Sequence, residues 1–295
     1  MLWLGRNNAA TTLFVGSSSK EGMEWFVTTD PAGVSTKEML SATFVSGVGY
    51  FSVGTDTLIL STNGGFTWTV PTNFSGSTNM SGVFGRSIAT NDNEGVITGF
   101  AGGDSFIFYN SNLAVSATID WKRETATSTS ALFGSIFATD SVGDALVCGA
   151  DGTIQKRINE TWVDSTIDTS ITDTLFGFGK STQGTLVCVG EGATILRSRD
   201  SGVSWVTIST GLIDIDLKAV HYSEFYQAFL ALSTNGFVLI SLDDGLIWNY
   251  GFWPSKTTRI LNAIETSFNE IFYFGHELVS DPTKLLHLVK KSKLF

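Results

Sequence analysis

Six tryptophans recur along the chain, at Trp25, Trp68, Trp121, Trp162, Trp205 and Trp248, separated by 43, 53, 41, 43 and 43 residues. A period in the forties marks a repeat-built fold, in which each repeat is one supersecondary unit that buries its apolar face only against its neighbours. The beat runs through most of the 295 residues. Residues 1–295 therefore read as one repeat-built domain.

Within a repeat the alternation has period two. From Leu217 the segments LKAVHYSE, QAFLALS, FVLISLDDG and IWNYG read as four antiparallel strands, A to D, and LFGFGKST, TLVCVGEG, ATILRSRDSG and VSWVTIS repeat the plan. Charged residues make up 16%, against about 25% in average globular chains, while glycine is plentiful (31) and proline scarce (4). Such a composition suits many short strands joined by tight turns. Strand A carries a large apolar residue followed two positions on by Ala or Gly: Leu40 and Ala42, Met80 and Gly82, Leu132 and Gly134, Leu175 and Gly177, Leu217 and Ala219, Leu261 and Ala263. Small residues there suggest crowding where inner strands converge on an axis. Strand B ends in Gly5, Gly54, Gly99, Gly149, Gly190 and Gly275, where a positive-φ turn is expected. The fold class expected is all-β, a single β-propeller of four-stranded antiparallel blades; a helical solenoid lacks its 3.6-residue period here.

Seven B–C pairs but six strand-A signatures occur. Seven blades of about 43 residues fit the length; six blades plus a C-terminal hairpin is the alternative. In the seven-blade reading the first blade lacks strand A and the last lacks strand D. Such open edges invite a strand from another chain.

The residues before each Trp are more specific than the period. Ser198, Asp200, Gly202 and Ser204 precede Trp205 in the pattern Ser-x-Asp-x-Gly-x-Ser/Thr-Trp; Ser61, Asn63, Gly65 and Thr67 precede Trp68; Ser241, Asp243 and Gly245 precede Trp248, with Ile247 as the single departure. Ser18, Gly22 and Trp25 keep part of it, and the repeats ending at Trp121 and Trp162 have lost most of it. A short carboxylate or amide accepts backbone N–H groups of its own turn, the glycine reaches a left-handed conformation costly for other residues, and the Trp buries a large ring between sheets. The pattern resembles the Asp-box, or bacterial neuraminidase repeat. The resemblance implies a propeller whose boxes lie at the rim, between strands C and D, away from any ligand-binding face, so the box residues are expected to be structural.

Net charge is −10, which argues against nucleic acid, since phosphate contacts need clustered Lys and Arg. Lys290, Lys291 and Lys293 read as a solvated strand end, with an acid-docking tail as the sharper alternative. No apolar run of 18 residues exists, so no membrane span is expected. The first residues, MLWLGRNNAATTLF, lack the basic and long apolar regions of a cleaved signal, and cytoplasmic synthesis is expected. With Gly149 and Gly190 matched, Cys148 and Cys188 fall on opposite strand faces, so two buried free thiols are expected rather than a disulfide.

Chemistry is sparse. Sialidases, where the box is common, use an arginine triad, an Asp acid and a Tyr–Glu pair; the seven arginines here, with Arg157, Arg197 and Arg199 late on strand C, assemble no such triad. Gly179-Lys180-Ser181-Thr182 echoes a phosphate loop but sits in strand A, without the earlier glycine. His221, His276 and His287 lie on separate strands without ligand spacing. Asn91 to Gly95 has oxygen ligands but not a full calcium loop. No catalytic, cofactor or metal residue is assigned.

What remain are surfaces: Tyr222, Phe225 and Tyr226 around the A–B turn of the sixth repeat, and Tyr250, Phe252 and Trp253 at its outer strand. Such aromatics cap a blade core or anchor a partner. The function expected is a non-catalytic interaction or assembly module with protein partners in a larger particle, with a bacteriophage tail component as one form. The alternatives are a glycan-binding or sialidase-like glycan-hydrolysing protein, and a propeller like the photosystem assembly factors that the box resemblance brings in.

Overall fold

The computed structural model describes residues 2–6, 13–17, 39–71, 74–75, 84–91, 93–101, 104–113, 121–139, 141, 143–212, 215–252, 259–267, 270–277 and 289–291. Among them the strands form seven sheets in chain order. The first holds Leu2–Arg6 and Leu13–Ser17, and the second Met39–Val45, Gly49–Gly54 and Thr57–Ser61. The third holds Phe84–Thr90, Gly95–Ala101, Asp104–Asn110 and Trp121–Glu124; the fourth Leu132–Phe137, Ala145–Gly149, Ile154–Ile158 and Thr161–Asp164. The fifth holds Leu175–Lys180, Leu186–Gly190, Ile195–Ser198 and Ser204–Thr207; the sixth Leu217–Ser223, Ala228–Ser233, Val238–Ser241 and Asn249–Phe252; the seventh Arg259–Ser267, Glu270–Glu277 and Val289–Lys291. The fold is an all-β β-propeller whose successive strands pair antiparallel. Two short segments, Phe74–Ser75 and Thr166–Ile167, add parallel to the outer strands of the third and fifth sheets. The single helical element among the described residues is a 3-10 turn, Glu191–Ala193, and no helix is long and apolar enough to cross a membrane.

The chain divides into two compact units, Met1–Val147 with Arg157–Val163, and Cys148–Lys156 with Asp164–Phe295. In the first, Phe51, Val53 and Leu58 of the second sheet meet Ile97, Phe106 and Trp121 of the third in one buried cluster. Val96, Ile107 and Tyr109 of the third meet Leu132, Val147 and Trp162. In the second unit, Val187, Val189 and Ile195 of the fifth sheet meet Phe229, Leu239 and Trp248 of the sixth. The tryptophans Trp121, Trp162 and Trp248 thus lie between consecutive sheets, as the repeat pattern requires. Strand A touches the next strand A in both units, Met39–Val45 against Phe84–Thr90 and Leu175–Lys180 against Leu217–Ser223.

The strand-A signature has a different cause from the crowding expected. Leu175 pairs with Gly190 and Gly177 with Val189, so Phe176 is an extra residue, and the same shift separates Leu217 from Ala219 and Leu261 from Ala263. The signature marks a β-bulge, which raises the local twist. A Cβ on Gly177 would meet nothing within 4 Å. In the second and third sheets the shift falls at Met39/Ser41 and Gly85/Ser87, not at the Leu40 and Ala42 pair expected; Met80 and Gly82 lie outside the described residues. The crowding lies on strand B: a Cβ on Gly190 would come within 2.4 Å of the Thr174 carbonyl oxygen, and its φ of −157° is ordinary extended backbone. Gly190 is there for close approach, not for a positive-φ turn.

Candidate functional site

The three well-kept turn boxes have one geometry. Each Ser ends strand C and is buried, and its hydroxyl accepts the N–H of the box glycine at 2.9 Å: Gly65 to Ser61, Gly202 to Ser198, Gly245 to Ser241. That hydroxyl donates to Asn63 at 3.0 Å, to Asp200 at 2.7 Å and to Asp243 at 2.8 Å. The acceptor residue in turn takes the N–H of the residue four positions on, from Thr67, Ser204 and Ile247, each at 2.9 Å. The indole N–H closes the turn on the glycine carbonyl, at 3.0 Å for Trp68 and 3.2 Å for Trp205 and Trp248. Gly65, Gly202 and Gly245 have φ of 89°, 81° and 86°, the left-handed region that glycine reaches without Cβ strain. Burial raises the carboxyls of Asp200 and Asp243, but hydrogen bonds from Ser204 and Ser198 to the first, and from Ile247, Ser241 and Leu246 to the second, outweigh it and hold both below the usual carboxylate range. A carboxylate that accepts this many turn donors is a staple of its own loop.

Sequence reasoning missed how cations late on strand C clasp the box that follows. The residue before the glycine is also left-handed, at φ 58° for Ser201 and 62° for Asp244. Lys156 Nζ donates to the Ser201 carbonyl at 2.5 Å. Arg197 Nε donates to the Asp244 carbonyl at 2.7 Å, and its Nη2 pairs with Asp244 Oδ2 at 3.0 Å. Arg197 is thereby engaged with a turn and is not a free carboxylate clamp. Arg157 forks onto Glu124 at 2.7 and 2.9 Å, with its guanidinium 3.7 Å from the Tyr109 ring centroid. Burial, then the hydrogen bond to Glu94, pushes the Tyr109 phenol up. Glu94 also takes the Gly143 N–H at 2.9 Å and the Asn91 amide at 3.1 Å, so Glu94 and Asn91 are engaged with each other and with the next sheet. Among the described residues no cluster of three or more His, Cys, Asp or Glu side chains is arranged to hold a metal.

Gly179 and Lys180 end strand A, and Ser181 enters the A–B turn, its N–H donating to the Thr185 carbonyl at 2.9 Å and its hydroxyl accepting the Thr185 N–H at 3.2 Å. The two thiols are free and buried. Cys188 lies against Cys148, and burial first, then that neighbour, pushes its thiol well up. Opposite faces of matching strands meet when the strands belong to consecutive sheets, a consequence that strand alternation alone does not reveal.

The aromatic candidates do not form one patch. Tyr222 packs edge-on to Phe229 and donates to Gln227 at 3.1 Å, and Tyr226 packs on the core, so both cap the sheet. Phe225 and Tyr250 are 60% and 63% exposed. The strands that bear Tyr222 and Tyr250 are at opposite edges of the sixth sheet, about 14 Å apart across three strand spacings. The Phe252 side chain and Trp253 lie outside the described residues. The box of the same sheet exposes Leu242 (59%), Leu246 (52%) and Ile247 (62%); of these the motif singled out Ile247 alone, as its departure. A separate hollow of about 160 Å³, lined by Ser105, Arg123, Glu124 and Ser128 among others, is below the roughly 300–1,000 Å³ of small-molecule clefts.

No protein-family model and no curated protein matches the chain. Solved structures do. YCF48 bound to a D1 peptide matches with a TM-score of 0.62 at 15% identity, covering 86% of this chain and 82% of that one. The computationally designed protein Ika8 matches with a TM-score of 0.60 at 13% identity, covering 98% of this chain and 80% of that one. YCF48 from Cyanidioschyzon merolae aligns at a TM-score of 0.48 and 11% identity, over 81% of this chain and 92% of that one. At these identities the likeness is one of fold: this chain is similar to β-propellers that include a peptide-bound one.

Proposed function

We propose that this chain is a non-catalytic β-propeller serving as a protein-interaction or assembly module, a single domain over residues 1–295 with seven blades built on the neuraminidase-type turn box. The observation that carries this reading is the exposed apolar group Leu242, Leu246, Ile247 and Tyr250 on the turn and outer strand of the sixth sheet. Such side chains gain most from a protein partner that removes them from water. Four charged groups are engaged structurally: Asp200 and Asp243 inside their turns, Arg157 and Arg197 in ion pairs. The likeness to YCF48 with its D1 peptide supports peptide recognition by a fold of this kind. It favours the assembly-module form, while the Ser/Thr/Asn-rich, lysine-poor composition favours the virion-tail form.

Affinity purification of the tagged full-length chain from its native source tests the proposal. Stable recovery within a defined multi-protein particle is the expected result, and the identity of that particle separates the two forms. Turnover in a glycan-hydrolase panel that is abolished by single Asp or Glu substitutions would sink it.

A further inference from the structure

The tetrapeptide Ser-Thr-Asn-Gly occurs twice in the chain, as Ser61 to Gly64 in the turn box of the second sheet and as Ser233 to Gly236 in the hairpin between strands B and C of the sixth. The two copies fold alike at both ends. Ser61 and Ser233 are buried, and each hydroxyl accepts the N–H four positions on, from Gly65 at 2.9 Å and from Phe237 at 3.1 Å. Gly64 and Gly236 are left-handed, at φ 74° and 82°. Asn63 and Asn235 are both exposed. They differ in what holds the side-chain amide. Asn63 Oδ1 accepts the Ser61 hydroxyl at 3.0 Å and the Thr67 N–H at 2.9 Å, and its Nδ2 donates to Thr67 Oγ1 at 2.8 Å. The Asn235 turn is held through main chain: the Thr234 N–H donates to the Asp216 carbonyl at 2.9 Å and the Gly236 N–H to the Ser233 carbonyl at 3.0 Å. Among the described residues no hydrogen bond engages the Asn235 side chain.

Asparagine before glycine is prone to self-modification, because glycine has no side chain to shield its main-chain nitrogen. That nitrogen attacks the asparagine Cγ. The N–Cγ bond forms, the Cγ–Nδ2 bond breaks, Nδ2 leaves as ammonia with the proton of the main-chain N–H, and a cyclic imide remains. Water then opens the ring at either carbonyl and gives aspartate or isoaspartate. The amide must swing onto the next nitrogen for this to happen, so every bond that ties the amide elsewhere opposes it.

We propose that Asn235 is a site of spontaneous deamidation in the folded protein, and that the turn box shields Asn63 from the same reaction. Cyclisation at Asn63 must first break three side-chain bonds. At Asn235 it must release only the Gly236 N–H from the Ser233 carbonyl. Each bond that has to open raises the barrier to the reactive geometry. The product falls next to the core of the sixth sheet. Phe237 is buried in the cluster that holds Trp248, and its ring centroid is 5.3 Å from that of Tyr250. Isoaspartate adds a main-chain carbon to the hairpin that leads into Phe237, and either product adds a negative charge to a chain at −10.

Ageing the full-length protein in warm, mildly alkaline buffer, with timed proteolysis and mass-spectrometric mapping of each asparagine, tests the proposal; a parallel series in guanidinium chloride removes the fold. In the native protein Asn235 is expected to convert about tenfold faster than Asn63, or more. In denaturant the two rates are expected to agree within about threefold, because the tetrapeptide is the same and the unfolded chain keeps only fluctuating local structure. Thr67→Val removes the Nδ2 acceptor at an exposed position, and the turn tolerates it because Ile247 fills that place in the box of the sixth sheet. In that variant the native Asn63 rate is expected to rise severalfold while the Asn235 rate stays as it was. An acidic form is expected to accumulate on anion exchange in the parent and not in Asn235→Gln. Native conversion of Asn63 as fast as that of Asn235 overturns the proposal. So does an Asn235 that stays intact in the folded protein while the denatured chain converts. A rate ratio that persists in denaturant overturns it as well, since the difference then does not come from the fold.

Discussion

The indole N–H of Trp162 donates to Oε2 of Glu124 at 2.7 Å. In the three boxed repeats the equivalent donor goes to the carbonyl of the box glycine. The fourth repeat has lost its box, and a buried carboxylate from the preceding sheet's outer strand has taken over, shared with Arg157. Burying a charge is tolerable only when it is paired and hydrogen-bonded, and Glu124 meets both conditions.

Glu124→Ala is therefore expected to destabilise the protein by about 3 kcal/mol, the scale of breaking a buried pair. It leaves the Arg157 guanidinium, 8% exposed, and the Trp162 N–H without their acceptor. A Glu124→Leu/Arg157→Met double variant is expected to recover part of the loss, because no uncompensated charge stays buried. Urea denaturation of the single and double variants measures this, and a double variant worse than the sum of the singles contradicts it.

Gly202→Val is expected to cost about 1–2 kcal/mol or more, because a β-branched residue must adopt a φ of 81°. The melting temperature should drop, while the affinity of any ligand per folded molecule stays unchanged. A tenfold affinity loss at unchanged melting temperature would return the box to the list of binding elements.

Asp200 and Asp243 titrate below their ordinary range when folded. Their contribution to stability is complete above the unfolded value of about 3.9 and is lost as pH falls through the depressed folded value. Asn63 shows that an amide fills the same place. The Asp200→Asn/Asp243→Asn variant is expected to fold at neutral pH and to lose less stability than the parent between about pH 5 and pH 2. Thermal melts across that range decide it, and parallel curves for the two proteins would refute the carboxylate assignment.

Cys148 and Cys188 are both buried, and the Cys188 thiol is pushed up by burial and by its neighbour. Only a thiolate attacks a disulfide reagent. Ellman's reagent at pH 8 is expected to label neither thiol in the native protein and both after denaturation. Prompt labelling of the native protein at either thiol would contradict the packing.

The aromatic candidates separate by exposure. Tyr222 and Tyr226 belong to the core edge, so Tyr222→Ala is expected to lower stability by about 1–3 kcal/mol through lost packing against Phe229. Phe225→Ser, at an exposed position, is expected to stay within about 0.5 kcal/mol of the parent. Differential scanning calorimetry of the two variants distinguishes them.

The tryptophan beat, the period-two alternation and the internal bonding of the turn box follow from sequence alone, because they are local. The bonds that close the box join Ser198, Asp200, Gly202, Ser204 and Trp205 to one another within four positions, so that internal chemistry is fixed by spacing. The Leu-x-small signature was visible too, but its meaning was not: a bulge is a property of two paired strands, and the partner's register has to be seen. The contacts that join repeats span tens of residues, 45 for Lys156 and Ser201, 47 for Arg197 and Asp244, 38 for Trp162 and Glu124. Tertiary structure decides those, together with the meeting of the two thiols and the pairing of Ile167 with Trp205, because each depends on which faces of consecutive sheets and linkers come together in space.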